Sequence, residues 1–456
     1  MPRWDFAKLR DFYESHVPEY AQSLIARIRR VAQSKKTPLY LVGGGARELL
    51  RAFIEQTARE VLENQVLDID ICVLGDAIYL AQKVQEEFGG ILETNPEFLT
   101  AKLVTPQGYT IDFTTARTEI YEAPGKLPVV TPTNNIFEDL MRRDFTVNAL
   151  AFGVSEENFG ELCDPAGGVA DIFDKQIRVL HPLSFYDDPT RLFRALRYSV
   201  RLGYHLDTSS EELFRQAIEE SYIDFLTPER VRYELECALR ERMWFGVMWM
   251  FSTTDLLASV HPAFSTLPTA SGESAEILDL VIRSQEKVLE CEVVPNWVVR
   301  LNWCMLSVED EHFKAVLSRC GLYEKLASYM VAAREKFDEL KKRMNHFGFS
   351  PSRIYRVLIE YPRKTLLFVA FNSLLVKNTE ALRANIFKYL AELSPRRNIL
   401  DGDRLIELGV PKGPILGKIQ EELWWRFIDG AISTSEEAEQ IVPELLNKYG
   451  QVNLRG

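Results

Sequence analysis

The sequence predicts a mixed α/β head followed by an all-α remainder. Two patterns predict it. Short strand-like runs alternate with helical periods over the first 160 residues, and from about Pro182 onward only apolar positions at helical spacing remain. With 456 residues, 46% hydrophobic and 26% charged, the chain has length for about three domains and buries its cores without covalent staples. Polar, turn-rich stretches near residues 153–168, 266–276 and 345–352 divide it. The expected arrangement is an elongated, multi-domain one: a head over 1–160, a neck over 161–265, a body over 266–345 and a tail over 346–456.

Composition excludes several classes. Six cysteines (Cys72, Cys163, Cys237, Cys291, Cys304 and Cys320) are scattered without a C-x-x-C pair, which speaks against a zinc ribbon or a disulfide framework. The six histidines form no H-D or H-x-x-x-H pattern, so no phosphohydrolase site is expected. The N-terminus is charged throughout with no apolar core of a secretory signal, and no run of 18 apolar residues occurs. A cytoplasmic protein that does not enter a membrane is expected. Net charge is −12, but a global sum leaves room for a basic groove.

The head elements follow in order. Pro38–Val42 reads as a strand running into Gly43-Gly44-Gly45-Ala46-Arg47. Glycines admit close backbone approach, and the helix that follows offers unpaired N–H groups, with Arg47 in its first turn as a fork for phosphate. The spacing fits neither G-x-G-x-x-G nor G-x-x-x-x-G-K-[ST]. The next strand, Leu67–Val73, alternates so that Asp68 and Asp70 share one face while Ile69, Ile71 and Val73 enter the core. Paired carboxylates on one face repel unless a cation lies between them, and Mg²⁺ is the expected one. A third strand, Tyr109–Thr114, adds Asp112 as a further ligand or as the base for an attacking hydroxyl. Arg142-Arg143-Asp144, with Asn148, brings two cations for phosphates and two partners for ribose hydroxyls.

These residues together, LVGGGAR, LDIDICV and DLMRRDFTVNALAF, resemble the nucleotidyltransferase head of the DNA polymerase β superfamily. More narrowly, they are similar to class II tRNA nucleotidyltransferases and bacterial poly(A) polymerases. The family's first motif is GGAVRD, from which Gly45 and Glu48 depart here. The resemblance implies Asp68 and Asp70 as ligands of two Mg²⁺ ions, with Gly44 and Arg47 (beside Gly43) at the phosphates. It also places a flexible loop over the turn-rich stretch Arg117–Lys126.

In the neck, Asp188-Pro189 starts a helix with Asp188 as N-cap and Pro189 at N1. Arg191, Arg194, Arg197 and Arg201 fall in a sector of roughly 120°. With no Glu interleaved to pair them, they call for an anion such as a nucleotide or RNA. DDPTR stands where the family has E-D-x-x-R, which implies that Asp188 and Arg191 read the incoming base. A carboxylate accepts from an exocyclic amino group and a guanidinium donates to the adjacent ring nitrogen, a pattern that cytosine and adenine share. Thr227-Pro228 starts another helix, whose expected role is structural. In the tail, Ile399–Pro414 and the nearby Ser394-Pro395-Arg396-Arg397 resemble a region that in the family packs against tRNA. The implied activity is template-independent, Mg²⁺-dependent addition of CMP and AMP, from CTP and ATP, to the tRNA 3′ end. CC-only, A-only and poly(A) addition stay open, as does a non-catalytic RNA-binding protein on the same scaffold.

Overall fold

The computed structural model describes residues 8–33, 36–56, 68–268, 272–394 and 398–450. Leu67 and Pro395-Arg396-Arg397, invoked above, lie outside the described residues. The chain forms two compact units, Met1–Pro262 and Ala263–Gly456.

In the first unit, α1 (Leu9–His16) and α2 (Glu19–Gln33) precede β1 (Leu39–Val42), which enters α3 (Gly43–Glu55) directly. Then come β2 (Ile69–Val73), α4 (Ala77–Phe88), β3 (Ile91–Asn95), β4 (Thr100–Val104) and β5 (Thr110–Thr115). A hairpin of β6 (Arg117–Ile120) and β7 (Val129–Pro132) follows, then α5 (Ile136–Met141), β8 (Ala151–Gly153) and β9 (Leu162–Cys163). Seven strands form one sheet in the order β3-β4-β5-β2-β1-β8-β9. Only β2 and β5 run parallel; the other pairs are antiparallel, so the sheet is mixed.

This topology places the site. Because β1 is antiparallel to β2, the end of β1 lies beside the start of β2. Because β5 is parallel to β2, the start of β5 lies there too, with Asp70 and Asp112 as register partners. The alternation expected of β2 holds: Ile69, Ile71 and Val73 are buried while Asp70 is only partly so.

The neck follows as α6 (Gly168–Phe173), α7 (Ser184–Asp187), α8 (Thr190–Leu202), α9 (Thr208–Glu219), α10 (Pro228–Arg240), α11 (Trp244–Thr253) and α12 (Leu256–Val260). Leu192, Phe193 and Leu196 of α8 are buried, with the Phe193 ring edge-on to Phe251 of α11. Strands do not wholly stop in the neck: β10 (Gln176–Ile177) pairs in parallel with β11 (His205–Leu206). That short pair carries no alternation for a sequence reading to detect. Helix α8 begins one residue later than expected, with Pro189 rather than Asp188 at the N-cap position. The Asp188 carboxylate still accepts from Thr190 N at 3.1 Å.

The second unit is helical among its described residues. Its longest helix, Glu324–Met344, packs on the buried helix Arg363–Asn372. The tail motif is a packing element: Asp401 caps the helix Gly402–Glu407 through Arg404 N at 2.8 Å, and Leu400, Leu405 and Val410 join a buried cluster with Ile419 and Leu423. Among the described residues, no helix is long and apolar enough to cross a membrane.

Candidate active site

A cleft of about 320 Å³ opens in the first unit, within the size range of small-molecule sites. Gly43, Gly44 and Asp70 line one part of it, Arg142, Arg143, Asp144 and Asn148 a second, and Asp188, Arg191 and Arg194 a third. Glu119, Tyr121 and Tyr198 complete the wall.

The glycines bring the backbone onto the acids. Gly43 has φ +61°, and a Cβ there would sit 3.0 Å from Asp70 Oδ2. Gly45 is tighter: its Cβ would lie 2.4 Å from the Asp68 carbonyl oxygen. Alanine at Gly45 would therefore displace the very segment that carries the first acid. Helix α3 starts at Gly43 itself with no side-chain cap, so its first N–H groups have no partner within the helix.

Asp68 is exposed just before β2, and Asp112 is offered a cross-strand ion pair by Lys102 Nζ, 3.7 Å from Oδ1. Burial, and then the charges of Asp112 and Asp68, push the Asp70 carboxyl up to about 6 against the pull of Arg143 and Arg47. Burial also raises Asp112. Burial first, and neighbouring carboxylates after it, thus oppose the charged form of Asp70, a cost that a bound cation would relieve. Among the described residues, the one set of three acid or histidine atoms within 4.8 Å of one another is Glu309, Glu311 and His312, which are exposed and far from this chemistry in sequence. Asp68, Asp70 and Asp112 supply hard carboxylate oxygens, the donor type of Mg²⁺, which takes one or two of them and fills its shell from water and phosphate.

The arginine pair is organised by a residue that sequence reasoning missed. Asp139 is wholly buried; its Oδ1 accepts from Arg142 Nε at 3.0 Å and Nη2 at 2.7 Å, and its Oδ2 from Arg143 Nη2 at 2.9 Å. Burial opposes its ionisation, but Arg143 and Arg142 outweigh it and hold the carboxyl below its ordinary value. Arg142 Nη1 also reaches Glu119 Oε1 at 2.7 Å. The buried Arg143 Nε has no hydrogen-bond partner among the described residues. Asp139 stands three residues before Arg142 on a short helix, a spacing that would have flagged it.

Asp144 and Asn148 reach the cleft but are engaged with protein groups. Asp144 Oδ2 accepts from Arg194 Nε at 2.8 Å and Nη2 at 2.5 Å, while Oδ1 accepts from Asn148 Nδ2 and Phe145 N, both at 2.9 Å. Burial would raise this carboxyl; Arg194 and Asn148 instead bring it down to about 2. Asn148 Oδ1 in turn accepts from Arg47 Nη1.

Two expected ligand arginines stand elsewhere. Arg47 is only 2% exposed and does not line the cleft; its guanidinium donates to Glu48 Oε1 at 3.0 Å and to Asn148. The side chain expected as a first-turn phosphate fork is thus buried beneath the motif, with Glu48 and Asn148 taking two of its five N–H donors. Arg197 is likewise buried and outside the cleft lining, with Glu241 Oε1 at 3.2 Å and Glu234 Oε2 at 3.9 Å. Arg201 reaches the same Glu241 oxygen at 3.9 Å. The arginine stripe of α8 is thus answered largely from within the chain, by Asp144 and by carboxylates of α10 and its end. Those partners are distant in sequence, which is why the stripe read as unpaired.

Asp188 and Arg191 do face the cleft. Asp188 Oδ1 accepts from Thr190 N and Oγ1 and from Arg230 Nη2, the last two at 2.7 Å. The described hydrogen bonds to this carboxylate all fall on Oδ1. Arg191 Nη1 donates to Ser184 Oγ at 2.6 Å and Nη2 to Arg142 O at 3.1 Å, so three of its five N–H donors remain for a ligand. The stretch expected to be a flexible loop is partly regular, since Arg117–Ile120 forms β6.

Comparison with known proteins bears on this geometry. Residues 39–178 match the family model described as the poly(A) polymerase head domain. The chain is 30% identical over 438 residues to an A-adding tRNA nucleotidyltransferase of Geobacter sulfurreducens, covering 94% of this chain and 48% of that protein. It is thus about half the length of that relative. It is 27% identical to the A-adding tRNA nucleotidyltransferase of Halalkalibacterium halodurans, over 93% of this chain and 92% of that one. A solved apo structure of a CCA-adding enzyme superposes with a TM-score of 0.69 at 29% identity, covering 95% of this chain and 98% of that chain.

Proposed function

We propose that the chain is a tRNA nucleotidyltransferase built on a poly(A) polymerase head, and that it extends the 3′ end of tRNA with CMP, AMP or both, without a nucleic-acid template; its likeness to such enzymes supports the reading. One observation carries this reading. A single cleft joins the glycine turn and Asp70 to Asp188 and Arg191, so a nucleotide whose phosphates lie at the first has its base at the second.

Asp68, Asp70 and Asp112 would hold Mg²⁺, which when bound supplies charge neutralisation at the triphosphate and a lowered pKa for the attacking hydroxyl. Arg142 and Arg143, braced by Asp139, present fixed positive charge to the phosphates. Asp144 holds Arg194 along the same wall, and Asn148 holds Arg47 behind it. Asp188 Oδ2 accepts from the exocyclic amino group of cytosine or adenine, and a free N–H of Arg191 donates to the neighbouring ring nitrogen. Uracil and guanine present a carbonyl and an N–H instead, which leaves both protein groups mismatched, at a cost of about 1–3 kcal/mol per bidentate pair. In the transfer, the tRNA 3′ oxygen bonds to the α-phosphorus as the bond to pyrophosphate breaks. The tail, residues 346–456, is proposed to contact tRNA backbone, and the cytoplasm is the compartment that this reading implies.

A narrower second reading is favoured by the two relatives that match over nine tenths of this chain, both named as A-adding. AMP would then be added to tRNA already ending in CC. Transcripts ending at the discriminator base, at C or at CC, incubated with Mg²⁺ and with ATP, CTP, both, or UTP and GTP, test both readings. Extension of only the CC transcript by one A supports the narrower one, and no extension of any transcript refutes both.

A further inference from the structure

Arg230, the third residue of α10, joins two segments that the reading above leaves unconnected. Its Nη2 donates to Asp188 Oδ1 at 2.7 Å and its Nη1 to the Gly125 carbonyl oxygen at 2.5 Å. Gly125 lies in the connection between β6 and β7, and its own N–H donates to Asp187 O at 3.3 Å. Glycine is required there: φ is +69°, and a Cβ would stand 2.6 Å from Phe225 O and 2.8 Å from Phe225 Cβ. The Arg230 and Asp188 side chains are 21% and 19% exposed, so the pair is largely out of water.

An aspartate carboxylate turns in a broad, two-fold torsional well. Thr190 fixes Oδ1 from one side only; Arg230 closes the other side with a charge-assisted bond and leaves Oδ2 as the oxygen available to a base. Resting on the nucleotidyl-transfer reading, we propose that Arg230 is a specificity-determining positioning residue. It sets the orientation of Asp188 and ties that orientation to the seating of the β6–β7 connection through Gly125. Base choice therefore depends on a guanidinium that stands outside the lining of the cleft.

The test is the ratio of kcat/KM for ATP or CTP to that for UTP or GTP, measured by tRNA extension. A merely structural residue lowers all four values together and leaves the ratio unmoved. Arg230→Gln should lower the ratio roughly tenfold or more, Arg230→Lys should restore only part of it, and Gly125→Ala should lower it with Arg230 intact. Combining Arg230→Gln with Asp188→Asn should add little to Asp188→Asn alone. An unchanged ratio in Arg230→Lys and Gly125→Ala, or full additivity with Asp188→Asn, overturns the inference while the extension activity of the unaltered protein stands. Failure of the unaltered protein to extend tRNA overturns the reading beneath it, and this inference with it.

Discussion

Asp70 and Asp112 stand as register partners across the one parallel strand pair of the sheet, and the charge of Asp112 raises the cost of ionising Asp70. The arrangement is electrostatically unfavourable without a cation, so function here is held at the expense of stability. Asp70→Asn should lower kcat by about a thousandfold or more. It should also leave the thermal midpoint without Mg²⁺ unchanged or raised by a few degrees. Mg²⁺ should raise the midpoint of the unaltered protein and not that of the variant, which thermal scans with and without the ion would show.

Gly45 allows the Asp68 carbonyl to come within what would be 2.4 Å of a Cβ, with Leu41 Cδ1 at 2.9 Å. Both are backbone or close-packed atoms of the sheet, so neither can yield cheaply. Gly45→Ala should destabilise by about 1–3 kcal/mol, as overpacking does, and should weaken Mg²⁺ binding by moving Asp68. Urea unfolding paired with Mg²⁺ titration checks both effects.

Asp139 is a buried carboxylate on which two guanidinium groups depend. Removing one member of such a pair leaves buried charge uncompensated, so Asp139→Ala should cost about 3–5 kcal/mol. If the fold survives, KM for the nucleoside triphosphate should rise more than kcat falls, because Arg142 and Arg143 lose their aim. Steady-state kinetics against nucleotide concentration separate the two.

Asp144 supplies a pH signature. Its carboxyl is brought from the ordinary 3.8 to about 2 in the folded protein, where Arg194 and Asn148 outweigh burial. A depressed value stabilises the fold above the unfolded value and loses that contribution as pH falls through the folded one. At about 1.4 kcal/mol per unit, the contribution at neutral pH is on the order of 2 kcal/mol. The stability deficit of Asp144→Asn relative to the unaltered protein should therefore be full at pH 7 and shrink below pH 4. Denaturant midpoints at pH 7, 5 and 3 measure it.

Much of this site could be read from local pattern alone. Period-two alternation is enough to put Asp68 and Asp70 on one face, and three successive glycines are enough to mark a close approach. The Asp-Pro pair likewise marks the start of α8 to within one residue. What escaped were pairings made by tertiary folding. Arg47 reads as an open first-turn cation in the sequence, and only folding buries it against Glu48 and Asn148. Arg194 and Arg197 looked unpaired until Asp144, Glu234 and Glu241 were set against α8. Glu119 and Tyr121 line the cleft only because β6 and β7 form a hairpin. Arg230 sits in a helix start recognised for its Thr-Pro signal, while its partners Gly125 and Asp188 come from segments far away in sequence.

The central claim, that one cleft couples the carboxylates to a base-choosing pair, is tested most directly by extension of a tRNA transcript ending in CC. The unaltered protein with Mg²⁺ and ATP should lengthen it by one nucleotide, and Asp68→Ala combined with Asp70→Ala should abolish the product. Replacing Asp188 by Ala should leave transfer measurable but indifferent between ATP and GTP. Undiminished extension by the double aspartate variant, or undiminished preference for ATP in the Asp188 variant, would contradict the account.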